Sequence, residues 1–193
     1  FYFYYYNFYY IDKPLYNYRK HKSNLTNQLE VQNNAEINIV KTFTDNEIEN
    51  IVNKSNFSEY NKKLLKAKIF LKREQHLLSL RFFKECLKEK TDPIPWYYIG
   101  ICNYRENRYD FAEQAFKEAI KIDHIMAEAY NNLGCVYGML NKIDESIDMF
   151  SKALKIRPNY MDASYNIHHN TSTKDFKLTA RELRNSLSLY HNI

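Results

Sequence analysis

Side chains that could carry out chemistry are few and scattered in this chain. The histidine pair His168-His169 is the strongest metal candidate. Neighbouring residues of a helix point about 100° apart, so the two cannot share one ion without a third ligand. The pair reads instead as two partly exposed histidines near a helix end. No Ser-His-Asp set, HExxH pair or glycine-rich phosphate loop occurs, and 3 glycines in 193 residues are too few for a backbone cradle. Cys86, Cys102 and Cys135 have neither C-x-x-C nor metal-ligand spacing. These residues predict no enzyme activity, no metal and no cofactor.

A second kind of chemistry is charge. Residues 59–90 hold ten Lys and Arg against four Glu, with Lys62, Lys63, Lys66, Lys68, Lys72 and Arg73 close together, while 91–160 are slightly acidic. Such a helix could meet an acidic partner, a membrane surface or calmodulin. Its apolar residues Leu64, Leu65, Ile69 and Phe70 fall on one stripe, so the lysines read as the solvated side of a packed helix. No aromatic rings alternate with the charges as stacking on nucleic acid requires, and no nucleic-acid partner is expected.

The elements that position these groups are set by a repeat. Trp96–Met126 and Ala127–Tyr160 align when the sequence is shifted by 34: Ile99-Gly100 onto Leu133-Gly134, Phe116 onto Phe150, Ala119-Ile120 onto Ala153-Leu154. A fixed period of this length marks stacked units. Mid-helix glycine costs about 1 kcal/mol against alanine, a cost that makes sense if a second helix packs too close for a Cβ. Ala112 and Ser146 are the matching small residues on that second helix, Phe116 and Phe150 fill the space between hairpins, and Pro158 stops the second copy.

These residues resemble the tetratricopeptide repeat. The first copy, 93–126, carries Trp96, Ile99, Gly100, Ala112, Phe116 and Ala119 at the motif positions. The second, 127–160, carries Tyr130, Leu133, Gly134, Tyr137, Ser146, Phe150, Ala153 and Pro158. The first departs from the pattern at His124, where the family has proline. The resemblance implies an all-α solenoid of about three and a half helical hairpins whose first helices line a concave groove. The groove residues it implies are Tyr97, Tyr98, Ile101, Tyr104, Arg105, Asn131, Asn132, Cys135, Met139, Tyr165 and Asn166, with Leu64, Lys68, Leu71 and His169 at its ends.

Family members that hold the acidic C-termini of heat-shock chaperones use a clamp whose positions here carry Leu64, Lys68, Tyr98, Glu128 and Asn132. Only Asn132 agrees, and Glu128 would repel a carboxylate, so that partner is not expected. Asn132 and Asn166, 34 apart, are similar instead to the asparagine ladder in the repeat arms of O-linked N-acetylglucosamine transferases, where amides that both donate and accept hold a peptide backbone. Tyr98 interrupts the ladder, leaving two rungs. The expected function is a non-enzymatic scaffold that binds a protein or peptide in the groove. The alternative is the targeting or substrate-binding arm of a larger enzyme or assembly.

The remaining chain fits around the repeats. Residues 1–43 open with ten nearly all-aromatic positions and continue Asn-rich and without a helical stripe, which predicts a disordered low-complexity arm. Residues 44–57 form a short helix and linker, begun by the capping box Thr44…Glu47. Ser58 caps a helix over 59–73, followed by one over 76–90, so that 60–92 is a degenerate first repeat with one extra residue before Trp96. Residues 161–170 are half a repeat. In 171–193 the 4-3-4-3 spacing of Phe176, Ala180, Leu183, Leu187 and Tyr190 predicts a capping helix. No apolar window of bilayer length occurs. Reduced cysteines point to a cytoplasmic, reducing compartment. The absence of an initial Met suggests a fragment, and the Asn, Lys, Ile, Tyr and Phe usage suggests AT-rich codons.

Overall fold

The computed structural model describes residues 41–169 and 175–180. Eight helices lie wholly within them: α1 Asp45–Asn53, α2 Glu59–Lys72, α3 His76–Leu87, α4 Pro93–Arg105, α5 Tyr109–Ile122, α6 Ala127–Met139, α7 Ile143–Ile156 and α8 Met161–His169. The described chain is all-α, built as three antiparallel hairpins, α2/α3, α4/α5 and α6/α7, with α1 packed on the first and α8 on the last. The proposed arm 1–43 lies almost wholly outside the described residues.

Capping chemistry starts the helices where the sequence offers it. Thr44 and Glu47 form the expected capping box on α1, which buries Ile48 and Val52. The Ser58 side chain accepts from the Asn61 amide at the start of α2. Asp92 caps α4, whose first residue is Pro93. Between the helices of each hairpin sits one residue with positive φ: Glu74 at 63°, Asn107 at 58° and Asn141 at 66°. Each lies in a Schellman-type turn, closed by the bonds Gln75 N–H to Phe70 O, Arg108 N–H to Asn103 O and Lys142 N–H to Tyr137 O at 2.8–2.9 Å.

The packing follows the repeat register. An added Cβ on Gly100 would fall 2.5 Å from the Phe116 ring, and one on Gly134 would fall 2.6 Å from the Phe150 ring. Both rings are fully buried, as are Ala112, Ala119, Ser146 and Ala153, while Trp96 is half-buried and Pro158 is exposed just past the end of α7. The Ser146 hydroxyl donates to the Gly134 carbonyl at 2.8 Å, and Ser79 makes the same bond to Ala67 in the first hairpin. Ala67 therefore occupies the glycine position of the degenerate repeat. It lies 33 residues before Gly100, so this unit is one residue short of the period rather than one long.

Two kinds of helix result. The second helices α5 and α7 are amphipathic: α5 buries only Ala112, Ala115, Phe116 and Ala119, and α7 only Ser146, Phe150 and Ala153. The first helices are buried nearly all round: α4 from Tyr97 to Asn103, and α6 over almost its whole length. A helix buried on every face has something on its open side as well. For α6 that cover is the chain's own residues 175–180. This stretch is not helical, which corrects the expected capping helix over 171–193 within the described part. Leu183, Leu187 and Tyr190 lie outside the described residues.

Candidate functional site

The first helices α4, α6 and α8 lie side by side, and Asp175–Ala180 runs across them. The contacts are made by side-chain amides. Asn132 donates to the Thr179 carbonyl at 2.9 Å and accepts from the Thr179 amide at 2.8 Å. Asn166 does the same to Lys177, donating to its carbonyl at 3.0 Å and accepting from its amide at 2.7 Å. Each asparagine thus satisfies both polar groups of one peptide residue, as a neighbouring strand would. The two residues held are two apart, the spacing at which an extended chain returns the same face. One repeat step along the solenoid therefore matches one side-chain period of the peptide, running antiparallel to the order of the repeats.

Around these rungs the site is fully enclosed. Asn131, Asn132, Cys135 and Asn166 have no exposed surface. Asn131 ties the rungs together: it accepts from Asn166 at 2.9 Å and donates to Lys177 O and Thr179 Oγ1, each at 3.1 Å. The Tyr97 hydroxyl donates to the Thr179 carbonyl. Cys135 Sγ lies 3.6 Å from Lys177 O, and burial pushes its thiol pKa well above the usual value.

Two side chains of the segment enter their own subsites. The Thr179 hydroxyl, 4% exposed, donates to Asp162 Oδ2 at 2.8 Å and accepts from Asn131 Nδ2 and the Tyr160 hydroxyl. One proton and two lone pairs are thereby all used. Phe176 lies against Gly138, where an added Cβ would run into its ring, with its centroid 6.2 Å from that of Phe150. At the outer edge the Lys177 ammonium lies 3.8 Å from the centroid of Tyr165, whose hydroxyl donates to Asp175 at 3.2 Å.

Of the residues expected to line the groove, Tyr97, Asn131, Asn132, Cys135, Tyr165 and Asn166 converge on the segment. Tyr98 and Ile101 are instead buried in the core, Tyr98 stacked on Phe83 at 5.2 Å. Tyr104 packs on Tyr109, Met139 is half-buried, and Arg105 is exposed at the end of α4. In the first repeat Leu71 is buried, Leu64 packs on the core and the Lys68 ammonium lies 5.3 Å over the Tyr98 ring. His169 stacks on Tyr165 at 3.9 Å, a contact that His168 does not share. The sequence reading missed Asp162, Tyr160 and Gly138. Gly138 was detectable as the one glycine with no phenylalanine partner in the repeat register.

Among the described residues no helix is long and apolar enough to cross a membrane. Glu128, expected to repel a carboxylate, is paired with Arg157.

Comparison with known proteins agrees with this fold. Residues 127–160 match the family model described as tetratricopeptide repeat. The chain is 30% identical over 69 residues to the peroxisomal targeting signal receptor of Candida albicans, covering 36% of this chain and 12% of that protein. It is 43% identical over 99 residues to a probable UDP-N-acetylglucosamine–peptide N-acetylglucosaminyltransferase, SPINDLY, of Solanum lycopersicum, covering 51% of this chain and 11% of the relative. The chain thus spans about a tenth of the length of these curated relatives. Among solved structures, the first TPR of Spaghetti (RPAP3) bound to HSP90 peptide SRMEEVD is similar at TM-score 0.56 and 15% identity, covering 58% of this chain and 90% of that one. The expected exclusion of acidic chaperone C-termini finds no support here, since a similar fold carries such a peptide and Glu128 is neutralised by its partner. With the glycine–phenylalanine register repeated in two successive hairpins, residues 127–160 are a tetratricopeptide repeat, and the described residues around them form an all-α solenoid of the same kind.

Proposed function

We propose that this protein is a non-enzymatic scaffold whose concave face, along α4, α6 and α8, holds an extended peptide segment of a protein partner. The observation that carries this reading is the pair of two-way amide contacts from Asn132 and Asn166 to residues two apart on an extended strand. Gripping N–H and C=O together recognises backbone whatever the sequence. It also requires the peptide to be extended, because only then do alternate residues present both groups to one side. Few charges line the path, so affinity depends weakly on salt. The three cysteines are buried free thiols, which suits a reducing compartment such as the cytoplasm.

The test is selection from a random peptide library with the full-length chain. Enriched peptides are expected to bind with little change between low and high salt, and to lose at least tenfold in affinity to the Asn132→Ala, Asn166→Ala variant while its helical circular dichroism persists. Enriched peptides whose binding survives that variant but vanishes in salt would move the site to the basic face of α2 and sink the reading. An acidic chaperone C-terminal peptide belongs in the same titration.

A second reading, a substrate-binding arm within a larger enzyme or assembly, is favoured by the size of the relatives, of which this chain spans 11–12%. A catalytic domain in the complete open reading frame would decide for it.

A further inference from the structure

Backbone contacts explain how a peptide is held, and the side chains of the resident segment point to which peptide. We infer that the groove recognises the pattern Phe-x-x-Thr in an extended partner peptide, and that Phe176–Thr179 is the chain's own copy of that pattern, which a partner must displace. This inference rests on the scaffold reading above and adds its specificity.

The threonine subsite is built for a hydroxyl. Asp162 is 9% exposed and Tyr160 7%, and both meet Thr179 Oγ1 together with Asn131 Nδ2. A valine of the same shape would leave a buried carboxylate and a buried phenol unpaired, and sites built to hydrogen-bond a hydroxyl reject its apolar isostere strongly. A carboxylate at this position would face Asp162 across hydrogen-bonding distance. The aromatic subsite is made by an absence: Gly138 offers bare helix backbone to the tip of the Phe176 ring, and the Phe150 ring lies beside it at 6.2 Å, tilted by 33°. Alanine at 138 would close it. Between the two subsites, the amide rungs at Lys177 and Thr179 fix the spacing, so Phe and Thr cannot slide relative to each other without losing a rung. Lys177 over the Tyr165 ring adds a mild preference for a cation after the Phe.

The resident segment differs from a permanent core element in its supply of contacts. Lys177 and Asp175 are exposed and Phe176, Leu178 and Ala180 only partly buried; Thr179 alone is enclosed. Such a segment is held by its amide rungs, its two subsites and the packing of Leu178 and Ala180 on the core, and its tether adds to these. With His169 and Asp175 six positions apart in sequence, the tether supplies an effective concentration on the order of 1 mM. A segment with an intrinsic Kd of ~0.1 mM then fills the groove about ten times out of eleven, and lowers a competitor's apparent affinity about tenfold.

The experiment titrates a labelled peptide of sequence Asp-Phe-Lys-Leu-Thr-Ala against the full-length chain by fluorescence anisotropy. The Phe176→Ala, Thr179→Val variant empties the groove while leaving every receptor residue intact. It should bind the peptide about tenfold more tightly than the wild type does. Peptides with Ala for Phe or Val for Thr should each bind it at least tenfold more weakly than the parent. Should the double variant lose its helical signal, the wild-type chain serves: saturating peptide must then move the resonances of the displaced Phe176 and Thr179, while those of the Asn132 and Asn166 side-chain amides stay near their places. Equal binding of all three peptides would overturn the Phe-x-x-Thr specificity and leave the backbone-reading scaffold standing. No binding of any of them, alongside library peptides that do bind, would overturn the resident-copy inference. A wild-type chain that dimerises through exchange of residues 175–180 would make a second copy the occupant and overturn it too.

Discussion

Three glycines each face a phenylalanine ring, and the same substitution at two of them should have very unequal consequences. Glycine to alanine in mid-helix gains about 1 kcal/mol of helix propensity. At Gly134 the new Cβ would sit 2.6, 2.7 and 3.1 Å from three carbons of Phe150. That ring is fully buried on α7 and has nowhere to go. Overpacking of this kind costs up to about 3 kcal/mol, so Gly134→Ala is expected to lose about 2 kcal/mol net. A melting temperature lower by about 4–8 °C follows for a chain of this size. At Gly138 the ring belongs to Phe176, on a segment outside the helices. If docking is only tenfold favourable, ejecting it forfeits about 1.4 kcal/mol. The helix gains back about 1 kcal/mol, and Gly138→Ala should melt within about 2 °C of wild type. It should also bind the Asp-Phe-Lys-Leu-Thr-Ala peptide no better than wild type, because the aromatic subsite is closed. Thermal melts followed at 222 nm make the comparison. A Gly138→Ala protein that melts as low as Gly134→Ala would mean that residues 175–180 are part of the core, and the reasoning about a displaceable segment would fail.

Truncating either repeat phenylalanine should be worse than crowding it: Phe116→Ala and Phe150→Ala are each expected to lose roughly 3–5 kcal/mol in denaturant titration, and a melt unchanged within a degree or two would mean a wrong register. Glu74 holds a left-handed conformation at φ 63° where the two later hairpins use Asn107 and Asn141; Glu74→Asn should stabilise by roughly 0.5–1 kcal/mol, the equivalent of asparagine's several-fold enrichment there, and a loss would show that its side chain matters more than its backbone. The thiols should resist reagents in the native protein at pH 8, whereas Cys135 should react at least tenfold faster once Phe176→Ala, Thr179→Val opens the groove; equal rates would mean that the segment does not cover it. Burial pushes Cys86 up to about 12 and Cys102 up to about 11. The unfolded chain therefore releases these protons first, and stability that is full below about pH 8.5 should decline as pH rises toward 11–12; flat stability across that range would contradict the burial.

The repeats were legible because their packing is local and periodic. Gly100 with Phe116, and Gly134 with Phe150, meet at the same spacing within one hairpin, and a 34-residue shift exposes both. The caps at Thr44 and Ser58 were legible for the same reason, being chemistry between residues three apart. Asn132 and Asn166 were readable as rungs, since the repeat period puts them in line. What they hold was not readable. Phe176 and Ala180 are four apart, the spacing of a helix face, and nothing nearby in sequence says otherwise. The backbone of Lys177 and Thr179 finds its partners on α6 and α8 rather than in its own next turn. Helix periodicity assumes that a segment satisfies its own amides. A groove lined with asparagines offers an outside supply, and the extended form wins.

The length of that supply also sets the size of what the groove can hold. A third rung would have to stand on α4, one repeat before Asn132, at Tyr98. That position is occupied by a ring stacked on Phe83 at 5.2 Å and an interplanar angle of 4°, and set edge-on to Tyr97 at 5.2 Å. Such aromatic pairs contribute roughly 0.5–1.5 kcal/mol each beyond the area they bury, and the pair with Phe83 joins the second hairpin to the first. An asparagine at 98 would trade that junction for one peptide contact. The solenoid therefore spends this site on holding its repeats together, and α4 reaches the peptide backbone through the Tyr97 hydroxyl. Beyond α8, no further helix among the described residues offers a rung. Two rungs and the two side-chain subsites span four residues of extended chain, Phe176 to Thr179. A ligand of four residues has little surface to bury, so its affinity is modest by itself. Modest affinity is what lets a tether of a few residues decide whether the groove is filled from within or by a partner.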